Sequence, residues 1–114
     1  MPPRQPPDPG ASGWSLHAEA EAGGITVRAT GEFDMAAVPD VRRVIAQVAA
    51  AVSAPARVVI DLSGVSFLDA AMLGALVTER RALRSAGGDL VVRGVTAWSL
   101  RIIDICGLRG VLGL

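Results

Sequence analysis

The chain has 114 residues, 51% hydrophobic and 19% charged, with 11 basic side chains against 11 acidic ones and a formal net charge of +0. That length fits one domain, which buries roughly two-thirds of the surface its unfolded chain exposes and needs no disulfide or metal to hold a core. The charge balance excludes the basic stripe of a nucleic-acid binder and the polybasic segment of a membrane anchor; a single cysteine excludes an internal disulfide, and no apolar run approaches the roughly 20 residues of a spanning helix.

Met1–Gly13 reads as a disordered tail. Pro2, Pro3, Pro6, Pro7 and Pro9 deny it helix and ladder, and they stand where a signal peptide would carry its apolar stretch. A soluble cytoplasmic protein is expected. One domain is expected over residues 14–114. Trp14–Glu21 alternates, with Leu16, Ala18 and Ala20 on one side and His17, Glu19 and Glu21 on the other, which predicts a half-buried strand. Gly23-Gly24 makes a turn, and Ile25, Val27 and Ala29 continue as the second strand of a hairpin.

Gly31–Asp34 reads as a loop. A helix follows with Pro39 in its first turn, and Val38, Val41, Val44, Ile45, Val48 and Val52 form its apolar face. Ser53-Ala54-Pro55 ends it. Val58-Val59-Ile60 is a β-branched run that suits a strand covered on both faces. Ser63–Asp69 reads as a loop and Ala70–Ser85 as a helix, with Leu73, Leu76, Val77 and Leu83 inward and Glu79 outward. Gly87-Gly88 stops it, and Leu90-Val91-Val92 is a buried strand. Thr96 is a helix N-cap, Val95 and Leu100 stand at staple spacing, and Gly107 with Leu108 closes that helix. Val111–Leu114 is too short to assign.

The order is thus β-β-α-β-α-β-α, an α/β fold with a small mixed sheet: an N-terminal hairpin, then parallel strands. Right-handed crossovers bring three loops, Gly31–Asp34, Ser63–Ala71 and Arg93–Thr96, to the edge where such sheets present functional groups.

Catalytic signatures are thin. His17 sits on a polar strand face with no partner indicated for general base work. Cys106 reads as a small buried hydrophobe before a helix-ending glycine. One Cys and one His do not make a zinc site, and Gly87-Gly88 precedes a strand, not the helix start that cradles phosphate. Asp34, Asp61 and Asp69 near one edge raise metal binding or acid–base work. For Asp69, helix capping competes with partner contact. No catalytic residue, metal ligand or cofactor is assigned.

Val59-Ile60-Asp61-Leu62-Ser63-Gly64-Val65-Ser66-Phe67-Leu68-Asp69-Ala70-Ala71-Met72-Leu73-Gly74-Ala75-Leu76 resembles the signature of STAS domains, which include the bacterial anti-sigma-factor antagonists. Gly31-Glu32-Phe33-Asp34, Gly87-Gly88-Asp89-Leu90 and Cys106-Gly107-Leu108 resemble further landmarks of that family. The resemblance covers about residues 14–114. It implies a STAS-like fold and a non-enzymatic regulator that binds a kinase-like anti-sigma factor and so frees a sigma factor. It places partner contacts at Asp34, Ser66, Asp69, Ala70, Ala71, Met72 and Leu73. In regulatory members a serine at the second small position is phosphorylated. Here that position is Ala71, beside Ala70, with Met72 for the usual glycine, and Ser63, Ser66 and Thr78 stand off it. The resemblance therefore implies partner binding without the phosphoserine switch. A scaffold or sensor in another signalling complex, or a nucleotide- or lipid-binding STAS domain, are its alternatives; oligomeric state is left open.

Overall fold

A computed structural model describes residues 13–21, 23–52 and 55–114. The expected tail lies outside them except for Gly13, whose carbonyl accepts a 2.6 Å hydrogen bond from the Glu32 amide. Ser53 and Ala54 of the expected helix stop lie outside them too.

Strands β1 (Trp14–Glu21) and β2 (Gly24–Phe33) form the antiparallel hairpin. Strands β3 (Arg57–Leu68) and β4 (Asp89–Arg93) add in parallel, so the sheet runs β1-β2-β3-β4. Helix α1 (Val38–Ala51) follows one 3-10 turn at Met35–Ala37, α2 (Ala70–Ser85) joins β3 to β4, and α3 (Ala97–Ile105) follows β4. This is the expected element order and mixed sheet.

Several helix ends have a local cause. Pro39 sits in the first turn of α1, where a missing N–H costs little. Thr96 Oγ1 accepts from the Ser99 amide at 3.1 Å and caps α3. At its other end Gly107 takes φ +69°, and the amides of Gly107 and Leu108 return to the carbonyls of Asp104 and Ile103. That is the Schellman closure expected from Gly107 and Leu108. The same closure ends α2, with the Gly87 and Gly88 amides on the Arg84 and Leu83 carbonyls.

One core joins the layers. Val27, Ala29, Val58, Ile60, Leu90 and Val92 from the sheet pack with Val41 and Ile45 of α1, Met72, Leu73 and Leu76 of α2, and Ile103 of α3. Each fully buried Leu or Ile contributes roughly 2 kcal/mol by removal from water. Leu112, beyond α3, is buried in the same core.

Several expectations are corrected. The sheet is covered on one face: Val58 and Ile60 enter the core, but Val59 points away from it, and no described helix packs on that side. Val59 is nonetheless only 5% exposed. The two expected loops at Gly31–Asp34 and Ser63–Asp69 are largely strand, since β2 and β3 stay paired through two register shifts to Phe33↔Leu68. Gly31 makes one of these possible: at φ +99° it keeps Trp14 and Val65 as partners while offsetting the ladder. Ala18 and Ala20 are exposed, because the far half of β1 has no helix over it. Cys106 is exposed as the C-cap of α3. Glu79 faces α1: it accepts a 3.0 Å hydrogen bond from Arg42 Nε, and only 15% of its side chain is exposed.

Candidate functional site

The ends of β2 and β3 lie side by side at Phe33↔Leu68. Asp34 and Asp69, the next residues on each strand, therefore stand together at one end of the sheet. Each caps the helical turn that begins there. Asp34 Oδ1 accepts from the Ala36 amide at 2.9 Å and starts the 3-10 turn. Asp69 Oδ1 accepts from the Met72 amide at 2.9 Å and starts α2. Asp69 Oδ2 accepts from the Met35 amide, also at 2.9 Å, so one carboxylate ties the two connections together.

This geometry presents the first turn of α2 to solvent. Ala70 and Ala71 are exposed, and so is Ser66 just before them. Asp34 and Asp69 are half-buried. Met72 and Leu73 are a correction to the expected contact set. They are fully buried, because the inward face of α2 begins at once and both point into the core; a partner cannot reach them.

Three side chains outside the expected set join this end. Met35 is 70% exposed. Phe67 and Trp98, 40% and 44% exposed, form an aromatic pair with centroids 5.7 Å apart and planes at 38°. Such pairs add about 0.5–1.5 kcal/mol beyond burial. The exposed Phe67–Trp98 pair is an apolar patch of the kind that marks interaction surfaces. For Phe67 the sequence carried a signal: it is a large apolar residue two positions before the capping Asp69 and outside any apolar periodicity.

Asp61 is not part of this cluster. It lies within β3, eight residues before Asp69, or roughly 25 Å of strand at about 3.3 Å per residue. The Ser63 backbone amide holds its carboxyl below the usual carboxylate range, helped by the Ser63 hydroxyl, Arg28 and Arg93 and opposed by desolvation. The third expected loop is displaced too. β4 ends opposite Asp61, so Gly94 lies against Asp61 and Ser63, and only α3 returns to the site through Trp98. Among the described residues no three His, Cys, Asp or Glu gather as metal donors, and His17 is an exposed strand residue near Glu19. No described helix is long and apolar enough to cross a membrane.

The family model described as "Mlab, STAS domain" matches residues 16–113. An anti-sigma factor antagonist from Mycobacterium paratuberculosis is similar at 32% identity, over 89% of this chain and 84% of that one, with a TM-score of 0.70. The Bacillus cell fate determinant SpoIIAA in its phosphorylated form shares 18% identity over 84% and 86% of the two chains, with a TM-score of 0.64. An anti-sigma-factor antagonist domain protein from Planctomyces limnophilus shares 18% over 84% and 85%, with a TM-score of 0.63. The last two likenesses concern the fold. No curated protein matches the sequence.

Proposed function

Because the chain belongs to the STAS-domain family, we propose that it is a non-enzymatic regulator of the anti-sigma-factor-antagonist kind, which engages a kinase-like anti-sigma factor with the end of the sheet where α2 begins. Similarity to anti-sigma factor antagonists supports a regulatory role. One observation carries the reading further: the first turn of α2 offers only methyl groups, Ala70 and Ala71, beside exposed Met35 and the Phe67–Trp98 pair. This surface buries against a protein at little desolvation cost. Ser66, Asp34 and Asp69 border it, and the two aspartates hold its backbone in place.

Ala71 stands where the resemblance places a phosphorylated serine. A phosphate would add about −1.5 to −2 charge there and break an apolar interface; a methyl group accepts none. Binding is then governed by the amounts of protein and partner, not by modification at this position. Calorimetric titration against kinase-like anti-sigma factors from the same genome tests the reading. Saturable one-to-one binding that displaces a sigma factor is expected; absence of binding to all of them overturns it.

A further inference from the structure

The helix-free face of the sheet carries a cavity of about 180 Å³ lined by Glu21, Gly24, Thr26, Arg57, Val59 and Arg93, among others. Its floor is the cross-strand pair Thr26↔Val59. Thr26 is only 2% exposed, yet its Oγ1 has no hydrogen-bond partner among the described residues. A buried hydroxyl left unmet is costly, so a position of this kind calls for an acceptor.

Two cations stand on the same lining. Arg57 and Arg93 make no close ion pair among the described residues, although Arg93 stands opposite Asp61 and helps lower that carboxyl, whereas Arg28 is shared by Glu19, Glu21 and Asp61. The Glu21 carboxylate, the one acidic group on the lining, lies 3.9 Å from Arg28, a cation it shares with Glu19 and Asp61. On the lining itself two guanidinium groups, Arg57 and Arg93, stand against one carboxylate, Glu21.

We infer that this cavity is a binding site for a small oxyanion of the phosphate type, seated over Val59, accepting from Thr26 Oγ1 and held by the guanidinium groups of Arg57 and Arg93. Guanidinium forks match tetrahedral oxyanions with paired charge-assisted hydrogen bonds. At about 30 Å³ per liquid water the cavity has room for about six waters, enough for the oxyanion and a small substituent. The site lies across the sheet from the helix layer and does not rest on the partner-binding reading.

The test is a titration of the full chain with inorganic phosphate at constant ionic strength, with chloride as the comparison, following the amide resonances of Gly24, Thr26 and Val59. A saturable shift with phosphate and none with chloride is expected. Arg57→Ala and Arg93→Ala should each weaken it about tenfold or more, as loss of a charge-assisted hydrogen bond implies. Thr26→Val should weaken it without lowering the unfolding midpoint, since it removes an unmet hydroxyl. No saturable shift, or shifts of undiminished affinity in the three variants, overturns the site.

Discussion

Asp69 holds the backbone amide of Met35, thirty-four positions earlier in the chain, with the carboxylate oxygen that α2 does not use. Removing it leaves two amides without an acceptor. An N-cap is worth about 1 kcal/mol and a hydrogen bond to a charged group about 1.5 kcal/mol or more. Asp69→Ala should therefore lower stability by about 2 kcal/mol in urea unfolding. Asp69→Asn, with a single acceptor oxygen, should lose about half of that. A loss under about 0.5 kcal/mol for Asp69→Ala would show that the two connections are held by packing instead.

The Arg42–Glu79 contact joins α1 to α2. Arg42 is half-exposed, so solvent screening keeps the pair near the surface value. A double-mutant cycle with Arg42→Ala and Glu79→Ala should give a coupling of about 0.5 kcal/mol. Zero coupling would mean that the two side chains act separately. Glu79→Ala is thus a mildly destabilising variant and a poor neutral control for binding studies.

Asp61 ties pH to stability. Its carboxyl is depressed in the folded chain, so its contribution is complete above the ordinary aspartate value, about 3.9, and is lost as pH falls through the lower folded value. Asp61→Asn keeps an oxygen for the Ser63 amide but cannot titrate. In denaturant series at stepped pH, the variant should lose less stability than the wild type between about pH 4 and pH 2. Parallel acid limbs for the two proteins would remove Asp61 from the account.

Ala71→Glu should keep the fold, because a carboxylate in a helix's first turn is electrostatically favoured. Partner affinity should fall about tenfold or more, some 1.4 kcal/mol, since the charge would be buried unpaired. Circular dichroism checks the first statement and calorimetry the second; unchanged affinity would move the interface elsewhere.

A kinase that phosphorylates other family members should leave the wild-type chain at its original intact mass. Ala71→Ser should gain one phosphate at that serine. Phosphate on Ser63, Ser66 or Thr78 of the wild type would reinstate a switch at a different residue.

The element order was legible because it rests on local signals. The capping side chains of Asp69 and Thr96 and the closing glycine Gly107 act within a turn of themselves, and the valines of α1 recur at helical spacing. Strand lengths were not legible. Gly31, Ser63 and Gly64 look like loop residues, and it is pairing with neighbouring strands, Gly31 with Trp14 and Val65 and Gly64 with Thr30, that carries this stretch as strand. The face taken by Val59 depends on whether a second helix layer exists, which a β-branched run does not reveal. Of the seven expected contact residues, Ala70, Ala71 and Ser66 are exposed and Asp34 and Asp69 half-buried, while Met72 and Leu73 turn inward as the helical period requires. The second hydrogen bond of Asp69 and the outward stand of Met35 and Trp98 arise from tertiary neighbours far along the chain.

The sheet order β1-β2-β3-β4 repeats the order of synthesis. Every strand therefore docks on the one made just before it, and none waits for a later segment to be inserted between them. Such a chain can assemble by growth from its hairpin while still leaving the ribosome, each crossover helix folding down as its two flanking strands meet. Short sequence separations between partners favour fast folding, and they leave β1 as an edge that is formed early and displayed throughout. Its exposed Glu19 and Glu21 put negative charge on that edge, the kind of guard that keeps nascent strands from pairing with one another on neighbouring chains.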